Sequence, residues 1–207
     1  MACNGLISDV QIENVYKDNK FVVTNSVSSY CIDANTKKTL VEIFDKDTAN
    51  MLQRPIERTY FREKELYSDK TTTGKVVKHE YFILKDEFQG KKIASRIHPK
   101  EMDFYRANGF VEIQLDAAWD GLVVWKKMFY QFASVKDENF IKIAIQRYLR
   151  EVKNMTIEEI GKAIKSDPFS VNPSHLKDSS NANNNFSNWV YGNCFGIGLA
   201  KMYKEVA

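Results

Sequence analysis

The stretch Lys78-His-Glu-Tyr-Phe-Ile-Leu-Lys-Asp-Glu-Phe-Gln-Gly-Lys-Lys-Ile-Ala-Ser-Arg96 constrains the fold more than any other in the chain. Tyr81 to Leu84 is a short aromatic and aliphatic run, the pattern of a buried strand. Ile93 and Ile97 then fall one helical turn apart. Asp86, Glu87 and Gly90 lie between, so a strand must turn sharply into a helix. A helix that starts there presents unpaired backbone N–H groups and the positive end of its dipole. Lys91 and Lys92 add charge beside it. The spacing therefore predicts an anion site at this turn, where a phosphorylated ligand would bind.

The flanking segments build a sheet around it. Phe21 to Val27 is β-rich, Asp33-Ala-Asn-Thr-Lys-Lys38 is turn chemistry, and Leu40 to Phe44 alternates as the second strand of a hairpin. Val10, Ile12 and Val15 fit a short strand or a helix turn. A short helix over Thr48 to Leu52, ended by Pro55, is expected next. Arg58 to Tyr67 and Lys75 to Leu84 flank the turn-rich Ser68-Asp-Lys-Thr-Thr-Thr-Gly74 and read as an antiparallel pair. His98-Pro99 is expected to interrupt the following helix, because the residue before proline avoids helical geometry. Pro99 would then open a continuing helix that ends at Asn108-Gly109. Phe110 to Leu115 is the next strand, with Val111, Ile113 and Leu115 on one side. Strand, helix, strand across 80 to 115 predicts a right-handed parallel crossover.

The last third reads as helical. Leu122 to Met128 is a short apolar helix after the loop Asp116-Ala-Ala-Trp-Asp-Gly121. Asp137 suits the N-cap of a helix to about Val152, with Ile141, Ile145, Tyr148 and Val152 along one face. Thr156-Ile-Glu-Glu159 is a capping box for a further helix, with Ile157, Ile160 and Ile164 inward and Ser166-Asp-Pro168 at its end. Residues 171–188 are rich in Asn and Ser and read as a long mobile loop. Residues 189–203 become apolar again. The pattern divides into residues 1–135 and a helical extension, 136–207.

Composition narrows the function classes. In 207 residues, 30 basic and 27 acidic side chains leave a formal charge of +3 with no sustained basic stripe, so no nucleic-acid partner is expected. No run of 18 apolar residues and no secretory signal is present, which implies no membrane partner and a soluble, cytoplasmic protein. Cys3, Cys31 and Cys194 form no C-x-x-C pair and suggest free thiols, one disulfide remaining open. His79, His98 and His175 have no metal-ligand spacing, so no metal is assigned. No G-x-S-x-G signature supports a serine nucleophile.

The order of strands, turn, helix and strand resembles the GNAT superfamily of N-acetyltransferases. The resemblance is carried by Phe88-Gln-Gly-Lys-Lys-Ile-Ala94, Tyr105-Arg-Ala-Asn-Gly-Phe110, Ile113-Gln-Leu-Asp-Ala-Ala118 and Gly121-Leu-Val-Val-Trp-Lys-Lys-Met-Phe-Tyr130, and covers roughly residues 21 to 132. It is similar also to GNAT-like domains of bacteriophage-associated proteins, which often carry a tryptophan where Trp125 stands. The resemblance implies an α/β (α+β) fold with a mixed sheet of about six strands, antiparallel around a central parallel strand–helix–strand pair. It implies acetyl-coenzyme A as cosubstrate, a small-molecule or protein amine as acceptor, and direct attack of the amine on the thioester.

It also implies residue roles. The family's Gln/Arg-x-x-Gly-x-Gly/Ala loop holds the pyrophosphate on backbone amides, and here would be Gln89, Gly90, Lys91, Lys92, Ile93 and Ala94. Lys92 stands at the place of the middle glycine, a departure from the pattern. The pantetheine arm would bond to exposed strand backbone in a splay between Phe82-Ile83-Leu84 and Ile113–Leu115. Glu80 or His79 would take the amine's proton, and the two point to opposite faces. The family's thiolate-protonating tyrosine appears as Trp125, whose indole N–H donates a hydrogen bond but no proton. Tyr130 is the fallback. The competing functions are a catalytically inactive GNAT-like binding or phage accessory protein, favoured by Lys92 and Trp125, and an assembly protein that uses the helical extension.

Overall fold

The computed structural model describes residues 6–17, 20–117, 119–177, 185–193 and 199–206. They form two compact units that divide between Leu115 and Asp116, the chain returning to the first at Glu205. The change of pattern at 135/136 coincides with the start of a helix in the second unit. Helices and a mixed set of strands give the α/β class expected, with seven strands among the described residues where about six were predicted.

In the first unit, helix α1 (Asp9–Tyr16) precedes β1 (Thr24–Cys31), β2 (Thr36–Phe44), β3 (Ile56–Glu65) and β4 (Thr73–Tyr81), then α2 (Ile93–Ala107) and β5 (Glu112–Ala117). Strands β1 to β4 pair antiparallel in chain order. β4 and β5 pair parallel, from Val76 opposite Glu112 to His79 opposite Leu115. Burial alternates along β2, where Val41 and Ile43 face inward, whereas Ile56–Tyr60 of β3 and Glu112–Leu115 of β5 are buried on both faces. Helix α1 opens with a capping box between Ser8 and Gln11. Its Ile12, Val15 and Tyr16 are buried, as are Ile93, Ile97, Glu101 and Tyr105 of α2, one turn apart along a single stripe. Gly109, φ +71°, ends α2 in the left-handed conformation its position called for.

Several local expectations are corrected. Residues 48–52 form no helix, because Asp45 accepts the N–H groups of Asp47 and Ala49 in a side-chain turn and Met51 bonds to Ile43. Pro99 does not interrupt α2, which runs through it unbroken. Ser95 and Pro99 are exposed, so the carbonyl that proline leaves without its helical donor is open to solvent rather than buried. Cys31 is disulfide-bonded rather than a free thiol; Cys3 and Cys194 lie outside the described residues.

The second unit contains α3 (Trp119–Lys127), β6 (Gln131–Phe132), α4 (Val135–Glu151), α5 (Ile157–Ile164), α6 (Phe186–Asn193) and β7 (Ala200–Glu205). β6 and β7 pair antiparallel. The N-cap of α4 is Ser134, not Asp137; Ser134 accepts the Asp137 N–H, and Asp137 supplies first-turn charge instead. The capping box at Thr156 and Glu159 is present, but Ile157 is exposed, since only Ile164 of α5 reaches the core. The unit's interior gathers Ile141, Ile145, Tyr148 and Leu149 of α4 with Phe169, Phe186 and Val190. Val171 and Leu176 are fully buried too, so residues 171–177 are pinned rather than mobile. Residues 178–184 of the expected loop lie outside the described residues.

Candidate functional site

A strand, a turn and a helix follow in the expected order, but the strand ends earlier than the apolar run implied: β4 stops at Tyr81, Tyr81 and Ile83 are exposed rather than buried, and α2 opens only at Ile93. The parallel ladder of β4 with β5 stops at His79 and Leu115. Beyond that point the chain bonds to residues 51–53: the Gln53 N–H donates to the Ile83 carbonyl (2.9 Å) and the Lys85 N–H to that of Met51 (3.0 Å). Leu84 bridges Leu52. Phe82, Ile83 and Leu84 thus part from β5. Ile113 and Leu115, predicted to line the opening, stay paired with Val77 and His79, so the parting begins beyond them.

The turn is braced from within. Residues Asp86–Phe88 make one 3₁₀ turn. The Gln89 amide donates to the Leu84 carbonyl (3.0 Å) and to Asp86 Oδ1 (2.9 Å), so its side chain fixes the loop. Gly90 follows at φ +74°, and a Cβ there would meet nothing within 4 Å. Lys92, the N-cap of α2, takes φ +61° and ψ +23° with no side-chain cap. That left-handed shape is one glycine adopts without cost and an L-residue adopts at about 1 kcal/mol. Lys92 therefore holds a backbone form that favours glycine. Ile93 is buried and Ala94 half-buried, while Lys91 and Lys92 are exposed beside the first turn. This turn can accept an anion on backbone amides with two ammonium groups nearby.

On the helix-covered face of the sheet, His79 joins a buried polar cluster. Its Nε2 lies 2.9 Å from the Tyr105 hydroxyl. Glu101 Oε1 accepts the Tyr16 hydroxyl at 2.6 Å and Arg58 Nε at 3.0 Å, and Arg58 Nη2 stands 3.0 Å from it. His98 Nδ1 is 3.7 Å from the other Glu101 oxygen. Burial alone would push the Glu101 carboxyl up; the Arg58 guanidinium outweighs it and holds the carboxyl well below its usual range. Burial, with Arg58 beside it, holds His79 well below the ordinary imidazole value, so it is neutral at pH 7.

Glu80 points to the opposite face. One carboxylate oxygen accepts the Thr59 hydroxyl (3.0 Å) and the other stands 2.8 Å from Lys38 Nζ. Lys38 also meets Glu57 at 2.7 Å, and Glu57 meets Arg54 at 2.8 Å. Hydrogen bonds to Glu57 and then Glu80 raise the Lys38 ammonium. The Glu80 side chain keeps 22% exposure. Glu80 is thus the base candidate that solvent or a ligand can reach.

Trp125 and Tyr130 lie in the second unit, with ring centroids 5.1 Å apart in an edge-to-face pair. Tyr130 is buried, Trp125 half-buried, and Trp125 Nε1 approaches within 3.4 Å of where a Cβ on Gly121 would stand. Glu80, His79, residues 82–84 and residues 89–94 all belong to the first unit, with His79 and Glu80 on opposite faces of the sheet and Gln89 bonded to Leu84; Trp125 and Tyr130 belong to the second.

Sequence reasoning missed Arg58, Glu101, Tyr16 and Tyr105. One signal was present: Glu101 continues the four-residue series Ile93, Ile97, Glu101, Tyr105, a carboxylate in apolar phase that requires a buried partner. Among the described residues, no group of three or more His, Cys, Asp or Glu side chains is placed to hold a metal, and no helix is long and apolar enough to cross a membrane.

No family model and no curated protein matches the chain. Among solved structures it is similar to nourseothricin acetyltransferase, at 9% identity and a TM-score of 0.34, over 47% of this chain and 51% of that one. It is similar also to the spermidine/spermine N-acetyltransferase SpeG from Vibrio cholerae in complex with manganese ions, at 9% identity and a TM-score of 0.37, over 84% of this chain and 68% of that one. The chain spans about half the length of the first of these. Neither similarity is close enough to assign an activity.

Proposed function

We propose that the chain is an acyl-coenzyme A-dependent N-acyltransferase, with an amine as acceptor. One observation carries this reading: β4 parts from β5 after His79, and by Ile93 the chain opens α2, whose N-terminus has no side-chain cap, beside Lys91 and Lys92. A donor with phosphates at one end and an extended amide-bearing arm fits such a layout. The phosphates would meet the amides of Gln89 to Ala94, and the arm would run along Phe82, Ile83 and Leu84. The open space at Gly90 and the left-handed backbone at Lys92 are compatible with close approach of phosphate oxygens.

An attacking amine must lose a proton, and the departing thiolate must gain a proton or a hydrogen bond. Glu80 is favoured for the first task over His79, because it is reachable while His79 is sealed against Tyr105. Tyr130 has the chemistry for the second, and the Trp125 indole could donate a hydrogen bond only. Positioning alone accounts for a large share of the rate in such transfers. The test is thiol release from acetyl-coenzyme A with a broad panel of amines. Turnover should appear in the wild type and fall by about 100- to 10,000-fold in Glu80→Gln.

A second reading, a ligand-binding protein on the same scaffold without catalysis, is favoured by one finding. Glu80 is already engaged by Thr59 on one carboxylate oxygen and by Lys38 on the other, the arrangement of a structural ion pair. Binding of coenzyme A with no thiol release across the panel would select this reading.

A further inference from the structure

Arg58 has two sets of partners. Nε and Nη2 both reach Glu101 Oε1 at 3.0 Å, which ties β3 to α2. Nη1 donates to the carbonyls of Glu57 and Tyr81, each at 3.0 Å. The second contact sits where the β3–β4 register shifts, between Glu57 and Arg58. Tyr81 is the last residue of β4, two beyond the end of the parallel ladder. A side chain from β3 thus engages the Tyr81 carbonyl just past the point where the parallel ladder with β5 ends. The same side chain is anchored eight residues into the α2 helix, whose first turn follows the lysine-bearing loop.

Stability gives little reason for charges here. A buried ion pair replaced by apolar side chains of similar volume is often neutral or stabilising. A planar guanidinium, however, holds two directions at a fixed angle, which an ammonium or an apolar side chain does not. We propose that Arg58, held by Glu101, is a positioning residue for the donor site. It fixes the Tyr81 carbonyl, and so the path of residues 82–84, relative to the helix terminus that would take the phosphates. This rests on the acyl-coenzyme A reading above.

The inference separates the two halves of the donor. The arm depends on residues 82–84, and therefore on Arg58; the phosphate-bearing nucleotide meets only the turn and α2. Coenzyme A and adenosine 3′,5′-bisphosphate, which lacks the arm and the phosphate that carries it, are titrated into the wild type, Arg58→Met/Glu101→Leu and Arg58→Lys, with folding followed by circular dichroism. Both variants should bind coenzyme A at least tenfold more weakly and bind the bisphosphate within twofold of the wild type. Should the double variant not fold, Arg58→Lys carries the test, because it keeps a cation opposite Glu101. Equal loss of both ligands, or loss of neither, would overturn the positioning role while leaving the acyltransferase reading in place. A wild type that binds neither ligand would overturn both.

Discussion

Lys38 Nζ stands 2.7 Å from a Glu57 oxygen and 2.8 Å from a Glu80 oxygen, so one ammonium is shared by two carboxylates beside the end of β4. Burial would raise the Glu57 carboxyl, but its hydrogen bond from Lys38 prevails and the group is lowered.

Removing the ammonium should therefore set the carboxylates against each other. Lys38→Met is expected to lose about 1–3 kcal/mol of stability at pH 7, the cost of leaving a partly buried like-charge pair without its counterion. Because Glu57 titrates below its unfolded value, its share of stability is present above about pH 4.5 and is lost as pH falls through the folded value. In the variant this acid limb should begin at higher pH. Denaturant unfolding at pH 7 and pH 4 measures both effects. Equal stability of variant and wild type at the two pH values would show that the three charges do not act together.

His79 makes the opposite face sensitive to pH. Its folded value is depressed, first by burial and then by the Arg58 charge, with His98 adding in the same direction and Glu101 opposing. Below about pH 6.5 the unfolded chain takes up a proton that the folded chain refuses. Stability should then fall with falling pH by up to about 1.4 kcal/mol per unit, and the contribution is fully present only above pH 6.5. His79→Gln keeps a polar partner for Tyr105 and should flatten the slope between pH 6.5 and 5. An unchanged slope would place the proton uptake elsewhere.

Lys92 sits in a left-handed conformation that carries a steric cost for any residue with a Cβ. Lys92→Gly should raise stability by up to about 1 kcal/mol, read from the denaturation midpoint, the gain being trimmed by glycine's greater freedom in the unfolded chain. Under the proposed function it should not abolish coenzyme A binding, since the amides stay where they are. A loss of stability would mean that the lysine backbone is not held in this form.

How much of this was legible in the sequence follows the range of the interactions. Alternation over Leu40–Phe44, the turn cluster at Ser68–Gly74, the capping box at Thr156 and Gly109 after α2 are local signals, and each produced its element. The errors came from competition between local signals. Asp45 captured the backbone that a helix at Thr48 needed, and Pro99 was tolerated inside α2 because it and Ser95 lie on the exposed face, where the freed carbonyl is not buried. The site was legible as a turn with lysines, since strand, glycine and helix follow within twenty residues. The pairing of Arg58 with Glu101, 43 positions apart, was not, because no periodicity records which buried charges meet. Nor did any pattern assign Lys38 to Glu80 rather than to solvent.

Calorimetric titration of acetyl-coenzyme A into the wild type and into Lys91→Glu tests the central claim most directly. The wild type should bind, because an uncapped helix terminus, an open turn at Gly90 and two exposed lysines converge on one loop. Lys91→Glu should bind about tenfold more weakly at low salt, one charge reversal beside the phosphates, with unchanged thermal stability. No heat and no thermal shift in the wild type at roughly millimolar ligand, a dissociation free energy below about 4 kcal/mol, would contradict the account.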